Sequence, residues 1–178
     1  LYDSVYRQFG NSVDYYGIEL SLNRLFHGKS EFYKRQNIVP NIAKANALHL
    51  PFPDNSIDMV FTYFCLEQMP HIYKKAIDEL IRVSRKYVLI IEQSFELGNI
   101  LQKLRILSLE YARGIPNYLH KHEQMLNTNY SLMANSYHPY GRQACHSFEK
   151  SSENCITTKA RFVCPICHTD YEKLGGTL

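Results

Sequence analysis

The stretch Leu50-Pro51-Phe52-Pro53-Asp54-Asn55-Ser56-Ile57-Asp58-Met59-Val60-Phe61-Thr62-Tyr63-Phe64 decides the fold of this chain. Its first half carries two prolines and an Asp-Asn-Ser run, which leave little scope for regular backbone hydrogen bonding and predict a turn-rich loop. Its second half, residues 57–64, is almost unbroken in apolar and β-favouring side chains. Strict alternation would mark a strand with one wet face, whereas a continuous run marks a strand covered by helices on both faces. A central, buried strand is therefore predicted here.

Downstream, Ala76, Ile77, Leu80 and Ile81 recur at helical spacing from Ile72 onward, with Lys74, Lys75, Asp78, Glu79 and Arg82 on the opposite face. Residues 86–94 then predict a second buried strand centred on Tyr87-Val88-Leu89-Ile90-Ile91. Upstream, Tyr2, Val5, Tyr6 and Phe9 predict a helix that stops at Gly10. Residues 13–20 predict a strand, and Ser21 is a suitable N-cap for a helix running to about Gln36, weakened in its middle by Gly28 and by Lys29-Ser30. Another short strand is predicted over residues 42–47. Strands that alternate with helix-sized connections require a mostly parallel α/β sheet, because parallel neighbours need a return crossover of that length. Beyond this core, residues 97–113 predict a helix closed by Gly114. Residues 118–132 read as helical, and residues 136–159 have no assignable period.

A chain of 178 residues with 45% hydrophobic content supports one core and an appendage. The expected division is an α/β domain over residues 1–140 and a cysteine-containing tail over residues 141–178. The formal charge of +3 is dispersed among Lys34-Arg35, Lys74-Lys75 and Arg85-Lys86, which argues against a nucleic-acid footprint. No run of eighteen apolar residues occurs, and Leu1-Tyr2-Asp3-Ser4 lacks the basic and apolar start of a signal peptide. A soluble, cytoplasmic protein with no membrane partner is expected.

In an open parallel sheet a ligand lies beyond the carboxyl ends of the strands, where an acidic residue ending the second strand can accept from both hydroxyls of a ribose. Glu19 occupies such a position, although position alone serves a surface carboxylate equally well. The segment Tyr16-Gly17-Ile18-Glu19-Leu20-Ser21 resembles the second motif of class I S-adenosylmethionine-dependent methyltransferases of the ubiquinone-biosynthesis-like, type 11 group. Asn46-Ala47-Leu48-His49-Leu50-Pro51-Phe52-Pro53-Asp54-Asn55-Ser56-Ile57-Asp58-Met59-Val60 is similar to that family's third motif, its Leu-Pro-Phe loop and its fourth strand. Ala76-Ile77-Asp78-Glu79-Leu80-Ile81-Arg82-Val83-Ser84 resembles the helix before the fifth strand. Each motif alone is weak, but residues 13–94 carry them in family order.

The resemblance implies a doubly wound, mostly parallel sheet, the Rossmann-like methyltransferase fold. It implies S-adenosylmethionine as cofactor, with Glu19 and the adjoining Leu20 at the ribose, Asn46, Ala47 and Leu48 at the adenine edge, and Tyr63-Phe64 at the cofactor and substrate side. The family commonly has Asp where this chain has Asn46; an amide still offers an acceptor, and Asn here also suits a plain turn. No Gly-x-Gly-x-Gly occurs anywhere in the chain. The chain opens on the helix that would follow the family's glycine-rich cofactor turn, so the first strand and turn are expected to belong to a longer natural protein.

The implied activity is methyl transfer to a small-molecule acceptor; the alternatives are a catalytically silent methyltransferase-like binding subunit and, with a poorer fit to the Leu-Pro-Phe segment, another doubly wound enzyme. Transfer from a sulfonium is an in-line displacement that positioning and a dry pocket can promote without a dedicated base. Where the acceptor carries a proton, Glu67, His71, His49 and Glu92 are the ionisable groups nearest the strand ends, and such a residue is more often a loop residue or helix-start acceptor than a base. Acceptor choice is expected from residues 97–140, whose Tyr111, Tyr118, Tyr130, Tyr137 and Tyr140 suit a pocket or ordinary packing. In the tail, Cys164-Pro165-Ile166-Cys167 resembles one knuckle of a zinc ribbon. A structural zinc site would need further ligands from Cys155, Cys145, His146 or His168, against the alternative of reduced, unliganded cysteines or a redox pair.

Overall fold

The computed structural model describes residues 2–122, 126–133 and 143–150. Its centre is the unit predicted from the deciding stretch. Strand β3 (Ile57–Tyr63) is followed by a short 3-10 turn (Leu66–Gln68), helix α3 (Tyr73–Val83) and strand β4 (Ser84–Gln93). β3 and β4 pair in parallel, with Phe61 opposite Leu89 and Tyr63 opposite Ile91. α3 buries Tyr73, Ala76, Ile77, Leu80, Ile81 and Val83, the face its periodicity predicted, against Val88 and Ile90 of β4. Each such aliphatic side chain contributes about 1.5–3 kcal/mol of transfer free energy when fully buried.

The N-terminal half supplies a second parallel pair. Helix α1 (Tyr2–Phe9) ends where Gly10 takes φ +55°, and strand β1 (Gly17–Glu19) leads through helix α2 (Leu22–Gln36) to strand β2 (Ile42–Lys44). Gly17 lets the two strands approach closely: a Cβ there would meet Ile42 Cγ1 at 3.0 Å, and the Ile42 side chain would have to give way. α2 runs unbroken through Gly28-Lys29-Ser30, capped by the Ser21 hydroxyl at its start and by left-handed Asn37 at its end. Buried Phe32 packs edge-on against Tyr2 and Tyr6 of α1, so tertiary contact overrides the weak helix centre.

Four expectations are corrected. β3 is not flanked on both sides among the described residues: the larger sheet has the order β3-β4-β6-β5 and the smaller is β1-β2, so β3 and β1 are each hydrogen-bonded to one neighbour. Met59 is accordingly 51% exposed. The helix expected over residues 97–113 is only α4 (Ile100–Ser108), capped by Asn99; Glu110 then adopts φ +52° and turns the chain so that the Ala112 N–H reaches the Glu67 carbonyl at 2.8 Å. The helix expected over residues 118–132 is replaced by α5 (Ile115–His120) and strand β5 (Leu126–Met133). The unassigned region contains strand β6 (Gln143–Lys150), antiparallel to both β4 and β5. Because β6 lies beside β4, the sheet crosses the division placed at residue 140. No helix among the described residues is long and apolar enough to cross a membrane.

Candidate functional site

Within each parallel pair, β1-β2 and β3-β4, the strands point their carboxyl ends the same way, and the candidate residues lie at or just after those ends. At the end of β1, Glu19 Oε1 accepts from the Ser21 N–H at 2.8 Å and pairs with Arg24 at 3.5 Å. Leu20 beside it is 60% exposed. Burial raises the Cys65 thiol after β3, with the carboxylates of Glu92 and Glu19 adding to the rise.

After β2, Asn46 is exposed and its side-chain oxygen accepts from the Leu48 N–H at 3.0 Å, while the His49 N–H reaches the Asn46 carbonyl at 2.9 Å. Asn46 thus closes its own turn, and Ala47 and Leu48 pack on the core. The Leu-Pro-Phe loop that follows is held by one side chain. Arg82 donates to the carbonyls of Leu50 and Phe52, to Asp54 and to both oxygens of Glu79, and Glu79 Oε2 accepts from the Leu50 N–H. The guanidinium and the Leu50 N–H hold the Glu79 carboxyl below its ordinary range despite partial burial. His49 stands beside Glu79, exposed.

After β3, Tyr63 is 44% exposed and Phe64 takes φ +51°, with their rings edge-to-face at 4.4 Å. The turn beyond them folds over two buried carboxylates. Glu92 at the end of β4 accepts on Oε1 from the Thr62 hydroxyl and the N–H groups of Cys65 and Leu66, each at 3.1 Å, and on Oε2 from the Glu67 N–H at 3.2 Å. Glu67, 3% exposed, turns its carboxylate inward to the Gln93 N–H at 3.2 Å. Burial pushes the Glu67 carboxyl up to about 7, with the neighbouring Glu92 adding to the rise. Glu92 is also raised by burial, against the pull of its donors.

His71 lies elsewhere, on the rim of a cleft of about 680 Å³ lined by Pro70, Ile106, Leu107, Glu110, Tyr111 and Arg113. That volume falls within the range of small-molecule pockets. The structure therefore brings Glu67 and Glu92 to one place, and holds His49 beside the Leu-Pro-Phe loop and His71 beside α4. Sequence reasoning missed the anchoring of the Phe64–Glu67 turn by Glu92 and the clasp made by Arg82. The i, i+3 spacing of Glu79 and Arg82 was the signal for the clasp; the turn had none, since its donors are backbone groups.

Cys145 sits in β6 opposite Ile91, and Cys155, Cys164, Cys167 and His168 lie outside the described residues. Among the described residues no group of three or more His, Cys, Asp or Glu side chains is placed to hold a metal ion. Tyr130 lies in β5, and Tyr137 and Tyr140 lie outside the described residues.

The model of a family described as a methyltransferase domain matches residues 2–91. The demethylmenaquinone methyltransferase of Geobacillus sp. is 35% identical over 74 residues, covering 42% of this chain and 31% of the relative. That of Anoxybacillus flavithermus is 34% identical over 76 residues, covering 43% and 32%. The chain thus spans about a third of the length of the curated relatives it matches. Among solved structures, magnesium protoporphyrin IX methyltransferase from Synechocystis with bound S-adenosylhomocysteine superposes with a TM-score of 0.61 at 12% identity, covering 76% of this chain and 64% of the other. Phosphoethanolamine N-methyltransferase 2 from Haemonchus contortus, in complex with phosphomonomethylethanolamine and S-adenosylhomocysteine, gives 0.62 at 15% identity, covering 85% and 46%. At these identities the two structures establish a shared Rossmann-like methyltransferase fold.

Proposed function

Because the chain belongs to the methyltransferase-domain family, whose model spans residues 2–91, we propose that it takes part in S-adenosylmethionine-dependent methyl transfer to a small-molecule acceptor. The observation that supports this reading is that Glu19 ends β1, the Asn46 turn follows β2 and Tyr63-Phe64 end β3, each at the carboxyl end of a strand in a parallel pair and in the order of the family motifs. When bound, the cofactor supplies an electrophilic methyl group on a sulfonium.

The residues present fit such a ligand. Glu19 keeps a partly exposed carboxylate aligned by the Ser21 N–H, as a ribose diol requires. Ala47 and Leu48 offer an apolar wall beside the exposed Asn46 amide, which suits a heteroaromatic edge. Tyr63 and Phe64 present aromatic surface that excludes water from the reacting side. The cleft beside His71, close to the β3 turn in sequence and lined by α4 and the residues following it, is the proposed place of the acceptor. Its His71, Glu110, Tyr111 and Arg113 offer polar groups on an otherwise apolar wall of Pro70, Ile106 and Leu107, and His71 is the group placed to receive a proton there. Glu67 faces inward and is assigned no proton transfer with the acceptor.

Calorimetric titration with S-adenosylhomocysteine tests the reading. The expected outcome is saturable binding that Glu19→Ala weakens about tenfold or more, the loss of a hydrogen bond to a charged group being about 1.5–3 kcal/mol. No binding by the unsubstituted protein overturns it in favour of a catalytically silent subunit, and binding untouched by Glu19→Ala overturns the ribose assignment.

A further inference from the structure

We propose that Glu92 is a positioning residue that locks the turn Phe64-Cys65-Leu66-Glu67 and thereby sets Tyr63 and Phe64 in the orientation that receives the cofactor. The inference rests on the reading of Tyr63-Phe64 as the cofactor side.

Four donors converge on the carboxylate of Glu92, a residue 1% exposed: the hydroxyl of Thr62, next to last in β3, and three successive backbone N–H groups. Successive amides aimed at one anion describe a chain wrapped around a fixed charge. The wrapped segment begins at Phe64, whose φ of +51° is uncommon for a side chain with a Cβ and persists only where its surroundings hold it. Its N–H continues the ladder to the Ile91 carbonyl at 3.0 Å, and its carbonyl accepts from the Gln68 side chain at 3.0 Å. Glu92, one residue beyond Ile91, supplies the remaining restraint.

Stability alone does not account for this arrangement. Glu67 lies against Glu92, both are buried, and burying neighbouring carboxylates disfavours folding unless hydrogen bonds or protonation offset the cost. Glu67 completes the clamp rather than relieving it: its N–H donates to Glu92, its carboxylate accepts from Gln93, and its carbonyl accepts from Ala112 at 2.8 Å. The turn is thereby joined both to the end of β4 and to the segment that lines the acceptor cleft. A turn fixed at both sides presents its aromatic pair before the ligand arrives, so that binding costs less conformational entropy.

The test uses the full chain and Glu92→Gln, which keeps an oxygen for the Oε1 donors but faces the Glu67 N–H with a second donor. Hydrogen exchange without ligand is expected to show about tenfold lower protection at the Cys65, Leu66 and Glu67 amides, with Val88 and Ile90 unchanged. S-adenosylhomocysteine affinity is expected to fall about tenfold while the urea midpoint holds or rises. Thr62→Val, which removes one donor without changing shape, should shift both readouts in the same direction by less, and carries the test where Glu92→Gln does not fold. Unchanged protection of the three amides overturns the lock. Loosened amides with unchanged affinity overturn its role in positioning. Failure of the unsubstituted protein to bind S-adenosylhomocysteine removes the cofactor reading itself and is distinguished from both, because the exchange measurement needs no ligand.

Discussion

Arg82 shows how one side chain can hold a segment that its own backbone cannot. Two prolines remove N–H donors from the Leu-Pro-Phe loop, so the carbonyls of Leu50 and Phe52 are satisfied by the guanidinium instead. Its five-donor fork suits this work in a way a lysine ammonium does not. Arg82→Met, which keeps the packing of the stem, is expected to cost about 2 kcal/mol in urea denaturation, the loss of several half-buried charge-assisted bonds discounted for solvent access. A cost near zero would show that water replaces the clasp. Among the candidate residues, Glu19 was legible in the sequence because it ends an apolar run before an N-cap, a local pattern. The inward turn of Glu67 was not, since its partners at Gln93 and Ala112 are distant in the chain.

At the scale of elements, α3 and β4 carry the core. Ile77 is fully buried where α3 crosses the sheet. Ile77→Ala is expected to destabilise by about 2–5 kcal/mol, read from the urea midpoint, because the removed methyls leave a cavity that a parallel strand cannot collapse to fill. A change below about 1 kcal/mol would place the core elsewhere. α3 was readable because its face recurs every three or four residues and is satisfied by one partner surface. β5 was not, for Asn127-Thr128-Asn129-Tyr130-Ser131 has no strong intrinsic preference, and its ladder to β6, from Leu126 opposite Lys150 to Met133 opposite Gln143, forms only when that later segment arrives. α4 ended early for a related reason: the chain leaves the helix so that Ala112 can pair with Glu67.

For the whole molecule, two buried titrating groups set opposing slopes of stability with pH. Burial lowers His146 in β6 to about 4, below its ordinary 6.5, so the unfolded chain binds more protons between those values and stability rises with pH there. Glu67 is raised from its ordinary 4.5 to about 7, so the folded chain binds more protons across that window and stability falls as pH rises. Glu92, raised as well, adds to the fall. Glu67→Gln is therefore expected to become more stable relative to the parent as pH increases from 4.5 to 7, and His146→Phe as pH decreases from 6.5 to 4. Urea midpoints measured across pH 4 to 7.5 check both, and parallel curves for parent and variants would show that neither group titrates in that range. The sequence by itself determined the βαβ alternation, the loop before β3, the buried face of α3 and the family motifs, because those depend on local periodicity, proline and short spacing. Only the tertiary structure decided the order β3-β4-β6-β5, the entry of β6 beside β4 and the wrapping of the Phe64–Glu67 turn around Glu92. Those features are made of backbone hydrogen bonds between distant segments, and every non-proline residue carries the same backbone donor and acceptor, so no side-chain pattern announces them.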